Sequence, residues 1–480
     1  MSLKGKTIRG ILWNGAGKFV IQGLQLVISI VLARLLMPAD FGIIGIAMIF
    51  IGLIALVNEM GIAAAVVQRL EIDSRDLGTM FVSSVAVGII LTVLLIASSG
   101  LIAIYFNTPV LSPILKVLSL TFIIGSFGVI QKALLNRKLD FKKIAIGEIG
   151  GISAYGIVAI MLAVLGYGVW SIVWGTLANS ITATLIFSFM SHWKPVVLFD
   201  YKKFRETIHF GANVFGTNLI NYLRMNLASF ITGRYLGNTD LGYYSLANTL
   251  SSMTAGRISF IIGRVMFPAL SKIQNDTERF RNFYLKTIRV ISIVSFPLLI
   301  GLFVLAKPLV LVVYGEKWSM AIIPLQILSI VGMFQSIGST VGFVLLAKGR
   351  SDIEFKWNLF YLGAFFLVLI ISVHYGLIAL VLGVAFLTVF GIPIIQKITN
   401  SLIDLTFKEM LGVLLPVLLT SLTMGGIVFG FYEFFLPFIP QLILLIASIL
   451  LGAVSYLGIL VTWNRIEMID LWKSLVKSNA

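Results

Sequence analysis

Long apolar runs recur along the whole chain and leave little room for anything else. They lie near residues 10–36, 40–67, 77–105, 109–131, 144–165, 169–191, 207–235, 240–269, 287–313, 319–347, 357–374, 376–396, 409–434 and 440–463. A helix needs about 20 largely apolar residues to cross a bilayer, and each run supplies close to that or more. The joins are short and marked by Pro, Gly or Asn, as at Met37-Pro38, Asn107-Thr108-Pro109, Gly166-Tyr167-Gly168 and Gly237-Asn238. Composition agrees: of 480 residues, 59% are hydrophobic and 12% charged. A soluble domain carries about 25% charged residues, and a chain this apolar has too few polar groups to cover a water-facing surface. The sequence predicts an all-α polytopic membrane protein with about fourteen transmembrane helices.

The charges give these spans a direction. With the N-terminus placed in the cytoplasm, 27 Lys and Arg fall in inner segments and 4 (Arg34, Arg234, Lys307 and Lys317) in outer ones. Cytoplasmic loops carry this excess, so the net charge of +16 reports topology and not nucleic-acid binding. Both termini are expected in the cytoplasm. The first run is long and lacks a small-residue cleavage pattern, so it reads as a retained span and not as a signal peptide. Cysteine is absent, which excludes disulfides, thiolate zinc sites, iron–sulfur clusters and a cysteine nucleophile. His192, His209 and His374 are far apart, so neither a metal nor a cofactor is expected.

The chain also resembles itself at a separation of about 200 residues. ARLLMPADFG (33–42) and GRYLGNTDLG (233–242) share Arg, Leu, Asp and Gly in register. YGVWSIVWG (167–175) and YGLIALVLG (375–383) share Tyr, Gly, Val and Gly. Both matches fall at equivalent joins, span 1 to 2 with 7 to 8 and span 5 to 6 with 11 to 12. Six spans per half is an even number, so the halves share one orientation and relate by an axis along the membrane normal. The expected organisation is an N-lobe at 1–193 (spans 1–6), a basic cytoplasmic linker at 194–206, a C-lobe at 207–400 (spans 7–12), and spans 13 and 14 with a cytoplasmic tail at 401–480.

Spans 1 and 7 carry matched polar stripes. Asn14, Lys18, Gln22, Gln25 and Ser29 lie within about 80° of one another on a helix. Asn213, Thr217, Asn221 and Arg224 repeat the spacing, shifted by 199. Such stripes face a bundle interior or a water-filled cavity; hydrogen bonding between packed helices is the plainer alternative. Span 8 adds Arg257 and Arg264 on one face. Arg257 lies roughly 20 Å along the helix from the inner end, near the midplane. An arginine at the helix centre costs roughly 2.5–3.5 kcal/mol on insertion scales, so several without nearby carboxylates point to a wet cavity or an anionic ligand. Glu59 and Lys18 fall at similar depth and read either as a structural ion pair or as part of an ion-coupling site. Glu148, at the start of span 5, is the second coupling candidate. Lys116 is close enough to the outer surface to snorkel. Asp40 and Asp240 precede the apolar runs of spans 2 and 8 and read as helix N-caps.

Together these features resemble the polysaccharide-transport branch of the multidrug/oligosaccharidyl-lipid/polysaccharide (MOP) exporter superfamily. The run GILWNGAGKFVIQGLQLVISIVLARLLMPADFGIIGIA (10–47), followed by EMGIAAAVVQR (59–69), is similar to the Wzx-type lipid-linked oligosaccharide flippases, nearest to exporters of colanic and teichuronic acid. The resemblance covers nearly the whole chain. It implies a V-shaped MATE/MurJ-like pair of lobes in the bacterial inner (plasma) membrane, opening to each side in turn. It implies an undecaprenyl-diphosphate-linked oligosaccharide as substrate, moved from the cytoplasmic to the outer leaflet for O-antigen, capsule, exopolysaccharide or teichuronic-type polymers. Membrane lipids, a polymerase or chain-length protein, and H+ or Na+ as coupling ion are the partners such a carrier would have. Helix geometry then makes Arg224, Arg257, Lys18 and Arg264 the expected diphosphate ligands, through charge-assisted hydrogen bonds. Asn14, Gln22, Gln25, Asn213 and Asn221 are the expected sugar contacts.

Other functions compete. A drug or metabolite antiporter of the same superfamily would share the fold, but exporters of cationic drugs favour an acidic cavity and the deep charges here are mostly basic. A membrane glycosyltransferase or polymerase usually needs a sizeable outer loop with catalytic carboxylates. The outer loops here are short, and Asp40, Asp240, Glu316 and Glu433 are scattered, so no enzyme is expected. A passive scramblase would need no ion coupling.

Overall fold

The computed structural model describes the backbone of residues 3–58, 66 and 72–463, and the side chains of 13, 15, 17–56, 66, 72–201, 219–253 and 266–462. Among the described residues there is no β-strand. The helices of the first part are α1 (Leu3–Leu35), α2 (Pro38–Asn58), α3 (Ser74–Tyr105), α4 (Leu111–Arg137), α5 (Phe141–Val164), α6 (Val169–Ser191), α7 (Tyr201–Tyr235) and α8 (Asn238–Lys272). Those that follow are α9 (Thr277–Val304), α10 (Ile322–Gly338), α11 (Val341–Ala347), α12 (Ser351–Val373), α13 (Leu377–Ser401), α14 (Phe407–Phe435) and α15 (Gln441–Trp463). A single helical turn, a π turn and a 3-10 stretch connect α9 to α10 over residues 306–321. The expected span 10 is broken into α10 and α11.

Among the described residues, 12 helical segments are long and apolar enough to cross a membrane. They correspond to spans 1–6 and 9–14. The two spans outside that set are α7 and α8, each 35 residues long and so about 50 Å at 1.5 Å per residue. They hold Arg224, Arg257, Arg264 and the second polar stripe, and the side chains of 202–218 and 254–265 lie outside the described residues.

Local chemistry sets the helix ends. Asp73 and Asp76 form a reciprocal capping box at the start of α3, and Thr406 and Glu409 form another on α14; each satisfies two backbone N–H groups that a helix leaves unpaired. Asp140 and Asp276 cap α5 and α9. The repeated Tyr-Gly motif has a structural cause: Gly168 and Gly376 are the residues just before α6 and α13, with φ of 55° and 93°. Glycine adopts that region without steric penalty, so the same turn residue serves both halves.

The chain packs as two compact units, Met1–Gly242 and Tyr243–Ala480. In the first, α5 packs on α6 and α1, α3 on α4, α4 on α6, and α7 on α2 and α3. In the second, α9 packs on α10 and α14, α10 on α13, α12 on α13, and α14 on α15. The span pairs 3–4, 4–6 and 5–6 thus recur as 9–10, 10–12 and 11–12. The packed units do not part where the sequence repeat does. By sequence α7 opens the second repeat, and by contact it belongs to the first unit.

Several buried hydroxyls are satisfied within their own helices. Thr92, Thr232, Ser292, Ser295, Thr388 and Ser421 each donate to the carbonyl four residues earlier, at 2.7–2.9 Å. Hydrocarbon offers no water to satisfy them otherwise.

Candidate functional site

The α1 helix has three faces. Gly17, Ile21, Leu24, Ile28 and Leu32 follow helical spacing and form one. Gly17 meets Ala145, and Ile28 and Leu32 are buried in a cluster with Ile152, Ala159, Ala163 and Ile172. Phe19, Val20, Leu26 and Val27 form an exposed apolar face. The polar stripe of Lys18, Gln22, Gln25 and Ser29 lies on a third face beside the packed one. Ser29 donates to its own helix, to the Leu26 carbonyl at 2.9 Å. Lys18 and Gln25 are exposed and Gln22 is half-buried. Among the described residues these three make no hydrogen bond or ion pair. A helix that met only protein and lipid would need two faces; a polar third one needs water or a polar ligand.

The α7 stripe has the same character. Tyr222 holds the helix to α2, its hydroxyl donating to the Ile49 and Met48 carbonyls at 2.7 and 3.2 Å. Arg224 is two residues on, about 200° round the helix, and so turned away from that contact. Arg224 and Asn221 are exposed and also lack a partner among the described residues. Asn226, outside the stripe, bonds to the Tyr222 carbonyl at 2.9 Å.

Near one end of the first unit, the two copies of the repeated motif meet. A Cβ added to Gly42 would overlap the Asn238 carbonyl, and one added to Gly242 would overlap the Pro38 carbonyl. The 200-residue shift exchanges the two contacts, so each motif's glycine receives the other motif's helix start. Asn238 also donates to the Thr108 hydroxyl at 3.1 Å. Beside it Arg234 stacks over Tyr105 at 4.9 Å, and Phe50, Phe106 and Phe230 cluster with ring centroids 5.2–6.4 Å apart. The shared Gly was visible in sequence; its reason, backbone on backbone, was not. Asp40 is the third helical residue and not the N-cap. Its carboxylate accepts from the Met37 backbone N–H at 2.9 Å, reaching back over the first turn.

Among the described residues, no hydrogen bond or ion pair joins the sequence-predicted site residues to one another. The side chains of Asn14, Asn213, Thr217, Arg257 and Arg264 lie outside the described residues, as does Glu59. Glu148 pairs with Lys132 at 2.8 Å, the two side chains 34% and 48% exposed, an arrangement typical of a structural pair of small worth.

One polar group escaped sequence reading. In the second unit Tyr284, Thr340, Gln396 and Asn400 are all buried. The Gln396 amide donates to the Tyr284 hydroxyl at 2.8 Å and to Asn400 Oδ1 at 2.7 Å, and Tyr284 lies 3.2 Å from the Thr340 hydroxyl. Gln396 Oε1 finds no partner among the described residues. Gln396 and Asn400 sit four apart on α13, the only hint the sequence offered.

Helices long and apolar enough to cross a membrane, with repeated pairings and polar faces without a partner among the described residues, define a polytopic membrane protein. Its fold is that of the lipid II flippase MurJ in its inward closed conformation, at a TM-score of 0.77 and 18% identity, covering 95% of this chain and 100% of that one. The family model described as polysaccharide biosynthesis protein matches residues 31–323. Lipopolysaccharide biosynthesis protein WzxC of Escherichia coli (strain K12) is 37% identical over 372 residues, 75% of this chain and 74% of the relative. Teichuronic acid biosynthesis protein TuaB of Bacillus subtilis (strain 168) is 30% identical over 414 residues, 85% of each. The chain belongs to the polysaccharide biosynthesis protein family.

Proposed function

We propose that the chain carries polyprenyl-diphosphate-linked oligosaccharides from the cytoplasmic to the outer leaflet of the bacterial plasma membrane by alternating access. The observation that carries this reading is the set of polar side chains, exposed or half-buried and without a partner among the described residues, on helices that otherwise belong to lipid: Lys18, Gln22, Gln25, Asn221 and Arg224. Sugars and a diphosphate do not enter hydrocarbon without compensation. A face that offers cations and amides in place of water lowers that barrier. Arg224, Arg257, Lys18 and Arg264 are the proposed diphosphate ligands, and Asn14, Gln22, Gln25, Asn213 and Asn221 the proposed sugar contacts. The polyprenyl tail stays in the bilayer.

The names of the relatives, which concern lipopolysaccharide and teichuronic acid, support a surface-polymer precursor. Fourteen crossings, both termini in the cytoplasm, and the six–six–two division at 194–206 and 400 complete the reading. H+ or Na+ is the proposed coupling ion, with Glu59 the leading carboxylate, since Lys132 already holds Glu148. The test is surface polysaccharide at matched protein level in Arg224→Ala and Arg257→Ala strains. Lost export, with the lipid-linked precursor accumulating on the inner leaflet, is the expected result. Normal export in both strains rejects the diphosphate assignment.

A further inference from the structure

The stretch between α6 and α7 carries apolar side chains on its outside. Residues 192–200 are non-helical and are tied to the first turns of α3. The Asp200 backbone N–H donates to the Thr79 hydroxyl at 3.0 Å. The Val196 carbonyl would lie 2.9 Å, and Leu198 Cβ 3.1 Å, from a Cβ on Gly78. The Trp193 ring meets Phe81 edge-on at 5.7 Å. Gly78 is four residues into α3, about 6 Å along its axis. If α3 crosses a bilayer, a segment at that depth lies where headgroups give way to acyl chains.

Away from α3 the segment presents Val197, 80% exposed, and Tyr201, 68% exposed, with Phe199 half-exposed between them. Exposed apolar side chains grouped in this way mark an interaction surface. Cations flank them: Lys194 is exposed on one side, and Lys202, Lys203 and Arg205 follow on the other. An apolar strip between basic residues is the composition of segments that lie on anionic membrane surfaces.

We propose that residues 194–201 dock on the cytoplasmic leaflet of the bilayer, with Val197 and Tyr201 at the acyl boundary and Lys194 among anionic headgroups. The choice of leaflet rests on the cytoplasmic placement of the linker proposed above. The connection between the two sequence repeats is then tethered to the lipid surface at a fixed depth.

The chain has no cysteine, so single-cysteine variants of the full-length protein take a nitroxide label cleanly. Val197→Cys and Tyr201→Cys are compared in nanodiscs of phosphatidylethanolamine and phosphatidylglycerol. Leu101→Cys, on the exposed apolar side of α3, is the lipid reference, and Lys194→Cys the aqueous one. At 197 and 201, collision with oxygen is expected to exceed collision with a water-soluble nickel chelate several-fold, as at 101, with the order reversed at 194. Water-like behaviour at 197 and 201 overturns the docking. Protection from both reagents overturns it as well, because protein and not lipid then covers the strip. Labelling of Lys194→Cys in intact cells by a membrane-impermeant thiol reagent would overturn only the choice of leaflet. None of these readings requires transport, so they stand apart from the test of substrate.

Discussion

In the second unit, Tyr284, Thr340, Gln396 and Asn400 are buried and hold one another. In the first, Lys18, Gln22, Gln25, Asn221 and Arg224 stand off their helices with no partner among the described residues. Both sets are polar groups in a chain built for lipid, and the difference separates two uses of polarity. A buried group without a partner costs about 1–3 kcal/mol, so a polar group kept inside the protein is normally paired. The Tyr284 network follows that rule except at Gln396 Oε1, and it joins α9, the turn before α11, and α13. The stripes of α1 and α7 fall outside it, because they are exposed or half-buried and open to water or a polar ligand.

That comparison can be broken by substitution. The largest effect is expected from Arg224→Ala. A hydrogen bond to a charged group contributes about 1.5–3 kcal/mol, so export per molecule should fall roughly ten- to a hundredfold while thermal stability stays unchanged. A drop in melting temperature with normal export would place Arg224 among the structural groups. Asn400→Leu should give the opposite signature. It leaves the Gln396 amide with the Tyr284 hydroxyl as its one acceptor and should lower stability by about 1–3 kcal/mol, read as a lower thermal midpoint in detergent, with export per folded molecule retained.

Gly242→Ala tests a contact of a third kind, backbone on backbone. Overpacking costs about 1–3 kcal/mol, and the methyl group meets a carbonyl that cannot swing aside. Export is expected to fall, because the helix starts at Pro38 and Asn238 can no longer close on each other. Gly430→Ala, with no atom within 4 Å of the added carbon, should leave export as it is. The smallest effect belongs to Glu148→Gln. An exposed ion pair contributes about 1 kcal/mol or less, so the thermal midpoint should barely move. Transport should keep its dependence on the ion gradient, and a changed dependence would return Glu148 to the coupling site.

Most of the fold was legible because membrane spans announce themselves over short distances. An apolar run is read from neighbouring residues, and α1 to α6 and α9 to α15 lie where the runs lie. The site was legible in part for the same reason. Lys18, Gln22 and Gln25 align through helical periodicity alone, and so do Asn221 and Arg224. The Tyr284 network was not legible, since its members come from two helices and a turn, and the Tyr284–Gln396 bond alone spans 112 positions. The Lys132–Glu148 pair was missed by the same logic: sixteen residues separate its members, and each alone looks like a free charge.

The sequence by itself determined an all-helical membrane chain, the direction implied by its loop charges, the repeat, and the polar faces of α1 and α7. These depend on composition and on the 3.6-residue period, both local properties. The tertiary structure decided which polar groups are spent on one another and which are left over. It also decided why Gly42 and Gly242 must be glycine, since each meets the start of a helix nearly 200 residues away. Pairing and close packing depend on groups that the chain brings together only when it folds.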